Sequence, residues 1–188
     1  MPEETFRLVT LIAAYSGMRL GEICTLRKED VQTVDGIPCF LIRPHSETGW
    51  APKTEAGTRM GPVHLKLIDA GILTLKDTTD GPYLIPGLET SKQGVRGAAL
   101  GRAFSLLKTR IGLPAEITFH SFRHTVSTQL RNAHTDIREV WIDRLLGHEA
   151  THKSQGTTTY LTGISTANLQ QTIEAIRYPE TAFKKGTI

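Results

Sequence analysis

The segment Thr118-Phe119-His120-Ser121-Phe122-Arg123-His124-Thr125-Val126-Ser127-Thr128-Gln129-Leu130 carries two patterns at once. Phe122, Val126 and Leu130 recur every fourth residue, the spacing of an apolar helical stripe, and predict a helix beginning near Thr118. The same turn geometry gathers His120, Arg123, His124 and Ser127 on another side. On its own, the His120/His124 pair fits helix-surface or hydrogen-bonded core histidines as well as it fits ligands.

Working outward from that segment, Ile137, Val140, Trp141 and Leu145 predict a further helix that closes at Gly147, so His148 lies beyond its end. Upstream, Leu100, Phe104, Leu107 and Ile111 mark one helix face, Arg102, Ser105 and Thr109 the opposite one, and Pro114 ends the helix. Near the N-terminus, Phe6, Val9, Ile12 and Ala13 have helical spacing. Gly17 interrupts before a second run containing Leu20, Ile23, Cys24 and Leu26. Between Gly36 and Leu65 the pattern changes to short β-prone pieces: Cys39 to Ile42, the residues flanking Lys53, and Arg59 to Val63, with Gly49 and Gly57 as turn residues. These predict a small antiparallel sheet of about three strands. Ala167 to Arg177 reads as a last helix, with Leu169, Ile173 and Ile176 apolar. The fold class expected is α+β, mostly α-helical, in one domain spanning residues 1–188.

The composition agrees. At 188 residues, 39% hydrophobic and 22% charged, the chain can bury a core, which excludes a disordered or low-complexity scaffold. Its 22 Lys and Arg against 19 Asp and Glu give a net charge of only +3, but residues 91–131 carry +6 and the remainder −3. A concentrated basic block suits a polyanion on one face, and equally a solvated helix face. Cys24 and Cys39 have neither C-x-x-C nor metal-ligand spacing and read as buried free thiols of a reducing compartment. The N-terminus lacks a signal-peptide charge pattern, and Leu8–Met18 is too short to span a bilayer, so an intracellular protein without a membrane segment is expected.

Taken singly, the remaining polar candidates are ordinary. Arg19, in Gly17-Met18-Arg19-Leu20-Gly21-Glu22, fits a surface arginine paired to Glu22. Lys53 fits a hairpin lysine that blunts an exposed edge, and Tyr160, after three threonines, fits a half-buried aromatic.

As an ordered set they read differently. Arg19 before Gly21-Glu22, Lys53, His120-x-x-Arg123-His124, Leu146-Gly147-His148 and Tyr160 together resemble the tyrosine recombinase family, which includes the phage integrases, over nearly the whole chain. The resemblance implies that family's catalytic-domain fold and a metal- and ATP-independent, cofactor-free enzyme that cuts and rejoins double-stranded DNA through a 3′-phosphotyrosine. It assigns Arg19 and Arg123 as clamps on the phosphate, whose forked, permanently charged guanidinia match phosphate oxygens. His120 and His148 become hydrogen-bond donors, with His148 alternatively receiving the Tyr160 proton. Lys53 is implied as the acid that protonates the leaving 5′ oxygen, and Glu22 and His124 as supports. A phenol of pKa about 10 needs such a cationic site to attack at neutral pH.

The step from His148 to Tyr160 is twelve residues, longer than is usual in the family. Tyr160 remains the candidate, because Tyr15 precedes the Arg19 motif, Tyr83 lies far upstream and Tyr178 follows the last expected helix. Only 18 residues precede Arg19, which implies a fragment or truncation lacking the family's N-terminal DNA-clamping domain. Arg96, Arg102 and Lys108 are the DNA-binding candidates, the last two projecting from the helix over residues 98–110. The resemblance further implies a tetramer in the synaptic complex, a monomer as an isolated domain, accessory DNA-bending proteins, and a cytoplasmic, nucleoid-associated enzyme of bacterial or phage origin. The tail after Ala167 is expected to dock either on a neighbouring protomer or on its own domain.

Two rivals differ in class. His148-Glu149-Ala150-Thr151-His152 spells H-E-x-x-H, with Glu174 as a conceivable third zinc ligand. That chemistry needs both histidines one turn apart in a helix, whereas Gly147 closes the preceding helix and the residues after His152 are poor helix formers. The other rival is a DNA-binding accessory protein with a degenerate site, against which the complete Arg, Lys, His, Arg, His, Tyr set argues.

Overall fold

Helix α1 (Glu3–Ser16) forms the spine of the domain. Glu3 and Glu4 complement the dipole of its first turn, and every side chain from Val9 to Ser16 is buried. The computed structural model describes residues 2–133, 136–149 and 163–179. Around α1 pack α2 (Leu20–Thr25), α3 (Leu65–Asp69) and α6 (Ser121–Arg131), with α4 (Ile72–Thr78) against α3 and α7 (Glu139–Leu146) against α6. Helix α5 (Ala98–Arg110) docks on α6 and the turn before it through edge-to-face contacts of Phe104 with Phe122 and Phe119, at ring separations of 6.1 and 5.5 Å.

Gly17 caps α1 in the left-handed conformation at φ 64°. A Cβ there would lie 2.6 Å from Leu146 Cδ2 and 3.1 Å from Val126 Cγ1. Both the dihedral and the close approach therefore require glycine, and α1, α6 and α7 meet at this point.

The sheet is an antiparallel meander of β1 (Val31–Val34), β2 (Ile37–Ile42) and β3 (Arg59–Pro62), with Val31 opposite Phe40 and Cys39 opposite Pro62. Three strands are present, but not all where the sequence reading put them. The first precedes Gly36, because Asp35 and Gly36, at φ 52° and 79°, form a two-residue hairpin turn. The residues flanking Lys53 are not strands. They belong to an irregular connection over 43–58, broken by Pro44 and Pro52, with a 3₁₀ turn at Glu55–Gly57.

Other boundaries also moved. The apolar face assigned to α5 stops short of Ile111, which is 58% exposed, and the helix ends at Arg110, before a left-handed Gly112 rather than at Pro114. The C-terminal helix α8 runs Thr166–Ile173, capped by Ser165 Oγ accepting from the Asn168 N–H at 3.2 Å, and Ile176 is buried just beyond it. It packs on α7, β2 and β3 of its own domain. Helices α3 and α4 had no counterpart in the sequence reading.

Cys24 and Cys39 are buried free thiols. Burial pushes their pKa values up to about 12 and about 11, which keeps both protonated at neutral pH. No helix among the described residues is long and apolar enough to cross a membrane.

Candidate active site

After Gly17 turns the chain out of α1, Arg19 takes the N-cap position of α2 in extended conformation, and Glu22 folds back on it. The Arg19 N–H donates to Glu22 Oε2 at 2.9 Å, and Arg19 Nη1 to Oε1 at 2.7 Å. The pairing expected of a surface arginine is thus present, but Glu22 is only 3% exposed. What holds that buried carboxylate is Arg59, the first residue of β3. Arg59 Nη2 reaches Oε2 at 2.8 Å and Nη1 reaches Oε1 at 3.1 Å. Burial alone would raise the Glu22 pKa; hydrogen bonding and charge from Arg59, with Arg19 adding to them, outweigh it and set the pKa below the usual carboxylate value.

Arg123, in the first turn of α6, is 3% exposed. Its Nη1 donates to Gly17 O at 3.1 Å, and its Nη2 donates to Leu146 O. One guanidinium thereby joins the segment leading to Arg19 with the segment leading to His148. Burial, reinforced by the charges of Arg19 and Arg59, lowers its pKa to about 10. It stays cationic at neutral pH in a site crowded with positive charge, which an incoming anion relieves.

His120 sits at the N-cap position of α6, its ring edge-on to His124 with centroids 4.9 Å apart. Partial burial, then the charges of His124, Arg123 and Arg19, lower its pKa, so the imidazole is neutral at pH 7. His148 follows the left-handed Gly147 that closes α7. Its Nδ1 lies 3.1 Å from Asp143 Oδ1. A carboxylate only accepts, so Nδ1 carries the proton and the neutral ring presents Nε2 as an acceptor. Burial, with Arg123 and Arg131 assisting, lowers the His148 pKa against the opposing pull of Asp143.

Arg19, Glu22, His120, Arg123 and His148 are therefore brought into one cluster. Lys53 is exposed, and among the described residues its ammonium makes no hydrogen bond or ion pair. Its segment nevertheless abuts the cluster. A Cβ on Gly147 would lie 2.8 Å from Ala56 O and 3.0 Å from Arg59 Nη1. Tyr160 lies outside the described residues, as does His152.

Two of the three DNA-binding candidates are engaged within the protein. Arg96 points into the protein: its Nε donates to Cys24 O at 2.9 Å, Nη2 to Ile85 O at 3.0 Å and Nη1 to Leu88 O, with the guanidinium carbon 3.7 Å from the centre of the Tyr83 ring. Lys108 does not project either; its Nζ binds Ala115 O at 2.5 Å and Ile117 O at 2.7 Å, closing the loop after α5. Arg102 is exposed on α5. Of the zinc candidates among the described residues, His148 lies past the end of α7, and Glu174 is engaged elsewhere: its Oε1 accepts from the Leu65 N–H at 2.7 Å and its Oε2 lies 3.6 Å from His64.

The sequence reading missed Arg59, seen there only as the start of a β-prone run. Its partners Glu22 and Leu145 are 37 and 86 positions away, and no local spacing announces them.

The model of the phage integrase family matches residues 3–161. The chain belongs to that family. The match spans every candidate residue from Arg19 to Tyr160. Among its relatives, the tyrosine recombinase XerA of Thermococcus kodakarensis is 29% identical over 177 residues, covering 93% of this chain and 56% of the relative. The tyrosine recombinase XerC of a Methylobacterium species is 30% identical over 161 residues, covering 85% of this chain and 46% of the relative. This phage integrase family member thus spans about half the length of the curated relatives it matches. The solved structure of the Tn1549 transposon integrase in complex with circular intermediate DNA shares the fold, with a TM-score of 0.52 at 22% identity over 90% of this chain and 59% of that one.

Proposed function

We propose that this chain is the catalytic part of a tyrosine-type site-specific DNA recombinase, an integrase of a phage or related mobile element acting in the cytoplasm. The observation that carries this reading is the placement of Arg123, bound to Gly17 O and Leu146 O, amid Arg19, His120 and His148. Two guanidinia and two neutral imidazoles around one point form an anion site suited to the charge that develops on the oxygens of a phosphodiester under attack.

In the proposed reaction the Tyr160 oxygen attacks the scissile phosphorus. The Oη–P bond forms, the P–O5′ bond breaks, and the DNA 3′ end is left as a phosphotyrosine ester. His148 Nε2 takes the phenol proton, in keeping with a ring whose Nδ1–H is committed to Asp143. Arg19 and Arg123 hold the non-bridging oxygens, His120 adds a donor at the start of α6, and Lys53 protonates the leaving O5′. Attack by another strand's 5′ hydroxyl reverses each step, so cleavage and rejoining are one reaction run in two directions and consume no ATP. Duplex recombination sites are the substrate, bound in a synapsed tetramer with accessory DNA-bending proteins.

The test is a nicked half-site duplex, cut from the junctions of the element, that loses its 5′ product on cleavage and so traps the adduct. Wild-type chain accumulates a detergent-resistant protein–DNA adduct, and Tyr160→Phe forms none while still binding the duplex. Adducts that persist in Tyr160→Phe would sink the assignment of the nucleophile. Binding by the wild-type chain without any adduct would favour the accessory DNA-binding reading.

A further inference from the structure

Arg59 makes contacts that the proposed chemistry does not use. Its side chain is fully buried, and its donors go to its own connection and to two segments distant in sequence. Nη2 and Nη1 hold both oxygens of Glu22, which in turn holds Arg19 by backbone and side chain. Nη1 also donates to Gly57 O at 2.9 Å, in the connection that carries Lys53. Nε donates to Leu145 O at 2.7 Å, in the last turn of α7, one residue before the carbonyl that Arg123 grips and three before His148.

We propose that Arg59 is a positioning residue that locks the phosphate clamp, the Lys53 connection and the His148 turn in one fixed relation. The proposal rests on the recombinase reading for its purpose, though not for its geometry. Only a planar fork can serve these partners together: the donors must diverge in one plane to meet a carboxylate edge-on and two carbonyls at its flanks. A lysine offers the same charge, but its three donors radiate from a single atom and cannot spread to both carboxylate oxygens and the carbonyls on either flank. The side chain is closely packed against the turn that leads to His148, since a Cβ on Gly147 would lie 3.0 Å from Nη1 and 3.1 Å from Cδ of Arg59.

The experiment compares wild type, Arg59→Lys and Glu22→Gln by amide hydrogen exchange and by single-turnover cleavage of the half-site duplex at saturating DNA. In both variants exchange should accelerate by about tenfold or more in peptides covering residues 17–24, 51–59 and 144–149, while the buried middle of α1 stays protected. Cleavage should fall by roughly 10²-fold with duplex affinity nearly unchanged, as expected when reacting groups lose alignment and binding surface does not. Unchanged exchange in those three segments, or acceleration spread evenly over the domain, would overturn the proposal. If Arg59→Lys does not fold, Glu22→Gln, which removes the charge from the same tie at constant volume, is judged by the same criteria. A wild-type chain that forms no adduct overturns the recombinase reading and leaves the tie to be decided by exchange.

Discussion

Arg123 Nη1 donates to the carbonyl of Gly17 at 3.1 Å, tying α6 to the chain two residues upstream of Arg19. The other end of the guanidinium makes the equivalent bond to Leu146, two residues upstream of His148. Two of the side chain's five N–H donors are thus committed to backbone, which fixes the plane in which the others face an anion. Gly17 serves this geometry twice, since its left-handed cap presents the carbonyl and its missing Cβ admits Leu146.

Arg123→Lys should therefore fold and bind duplex DNA yet cleave it slowly. Lysine keeps the charge but cannot grip two carbonyls and a phosphate at once, so the loss should approach that of a preorganised transition-state donor, about 10²–10³-fold in single-turnover rate. The check is the cleavage rate at saturating half-site beside a binding isotherm. A lysine variant as fast as wild type would mean that charge suffices and that the forked geometry is irrelevant.

His148 sets the acid limb. Burial lowers its pKa from the ordinary 6.5, and Asp143 pulls the other way. The base must be neutral, so cleavage should be level at pH 7 and fall as the pH drops through a value below 6.5. Asp143→Asn keeps an acceptor for Nδ1–H but removes the opposing charge, so the limb should shift to lower pH and the plateau rate should drop as the base weakens. Stability follows the same sign: with its folded pKa below the unfolded one, His148 is neutral in both states well above pH 6.5. It destabilises the fold as the pH falls through that value, because the unfolded chain takes up the proton first. A pH–rate profile of the asparagine variant superimposable on wild type would remove His148 from the role of base.

The basic block divides into cations that face solvent and cations that hold the fold together. Arg102→Ala should lower the slope of log affinity against log salt by about 1, as loss of one phosphate contact requires. Arg96→Ala and Lys108→Ala should leave the slope unchanged. Arg96→Ala should instead cost on the order of 2–3 kcal/mol in urea unfolding, through three carbonyls left without their donor. An Arg96→Ala slope reduced as much as that of Arg102→Ala would restore Arg96 to the DNA interface.

That division marks where sequence ceases to suffice. The α6 stripe, the closure of α7 at Gly147 and the arginine–histidine order were readable because period, cap and motif are local. The Asp35-Gly36 hairpin was equally local, yet the β-prone run after Gly36 drew the reading past it. Arg96 and Lys108 counted as basic surface because charge composition does not say which way a long side chain turns; carbonyls of neighbouring loops and, for Arg96, of Cys24 in α2 decided it. Arg59 was invisible for the same reason: a strand-leading arginine becomes a hub only when Glu22, Gly57 and Leu145 converge on it.

Lys53 is the remaining assignment that chemistry can isolate from geometry. An alkoxide leaves poorly unless protonated, whereas a thiolate, whose conjugate acid has a pKa of about 8.5, leaves unaided at neutral pH. Lys53→Ala should therefore slow cleavage of an ordinary half-site by about 10²–10⁴-fold, the usual worth of a positioned acid. On a half-site with sulfur replacing the bridging 5′ oxygen, the same variant should cleave at nearly the wild-type rate. Arg123→Lys should remain slow on both substrates, because its defect lies in charge stabilisation rather than proton supply. If sulfur fails to rescue Lys53→Ala, the lysine serves the phosphate instead of the leaving group. The acid would then have to be sought elsewhere on the 43–58 connection, whose Ala56 carbonyl lies beside Gly147.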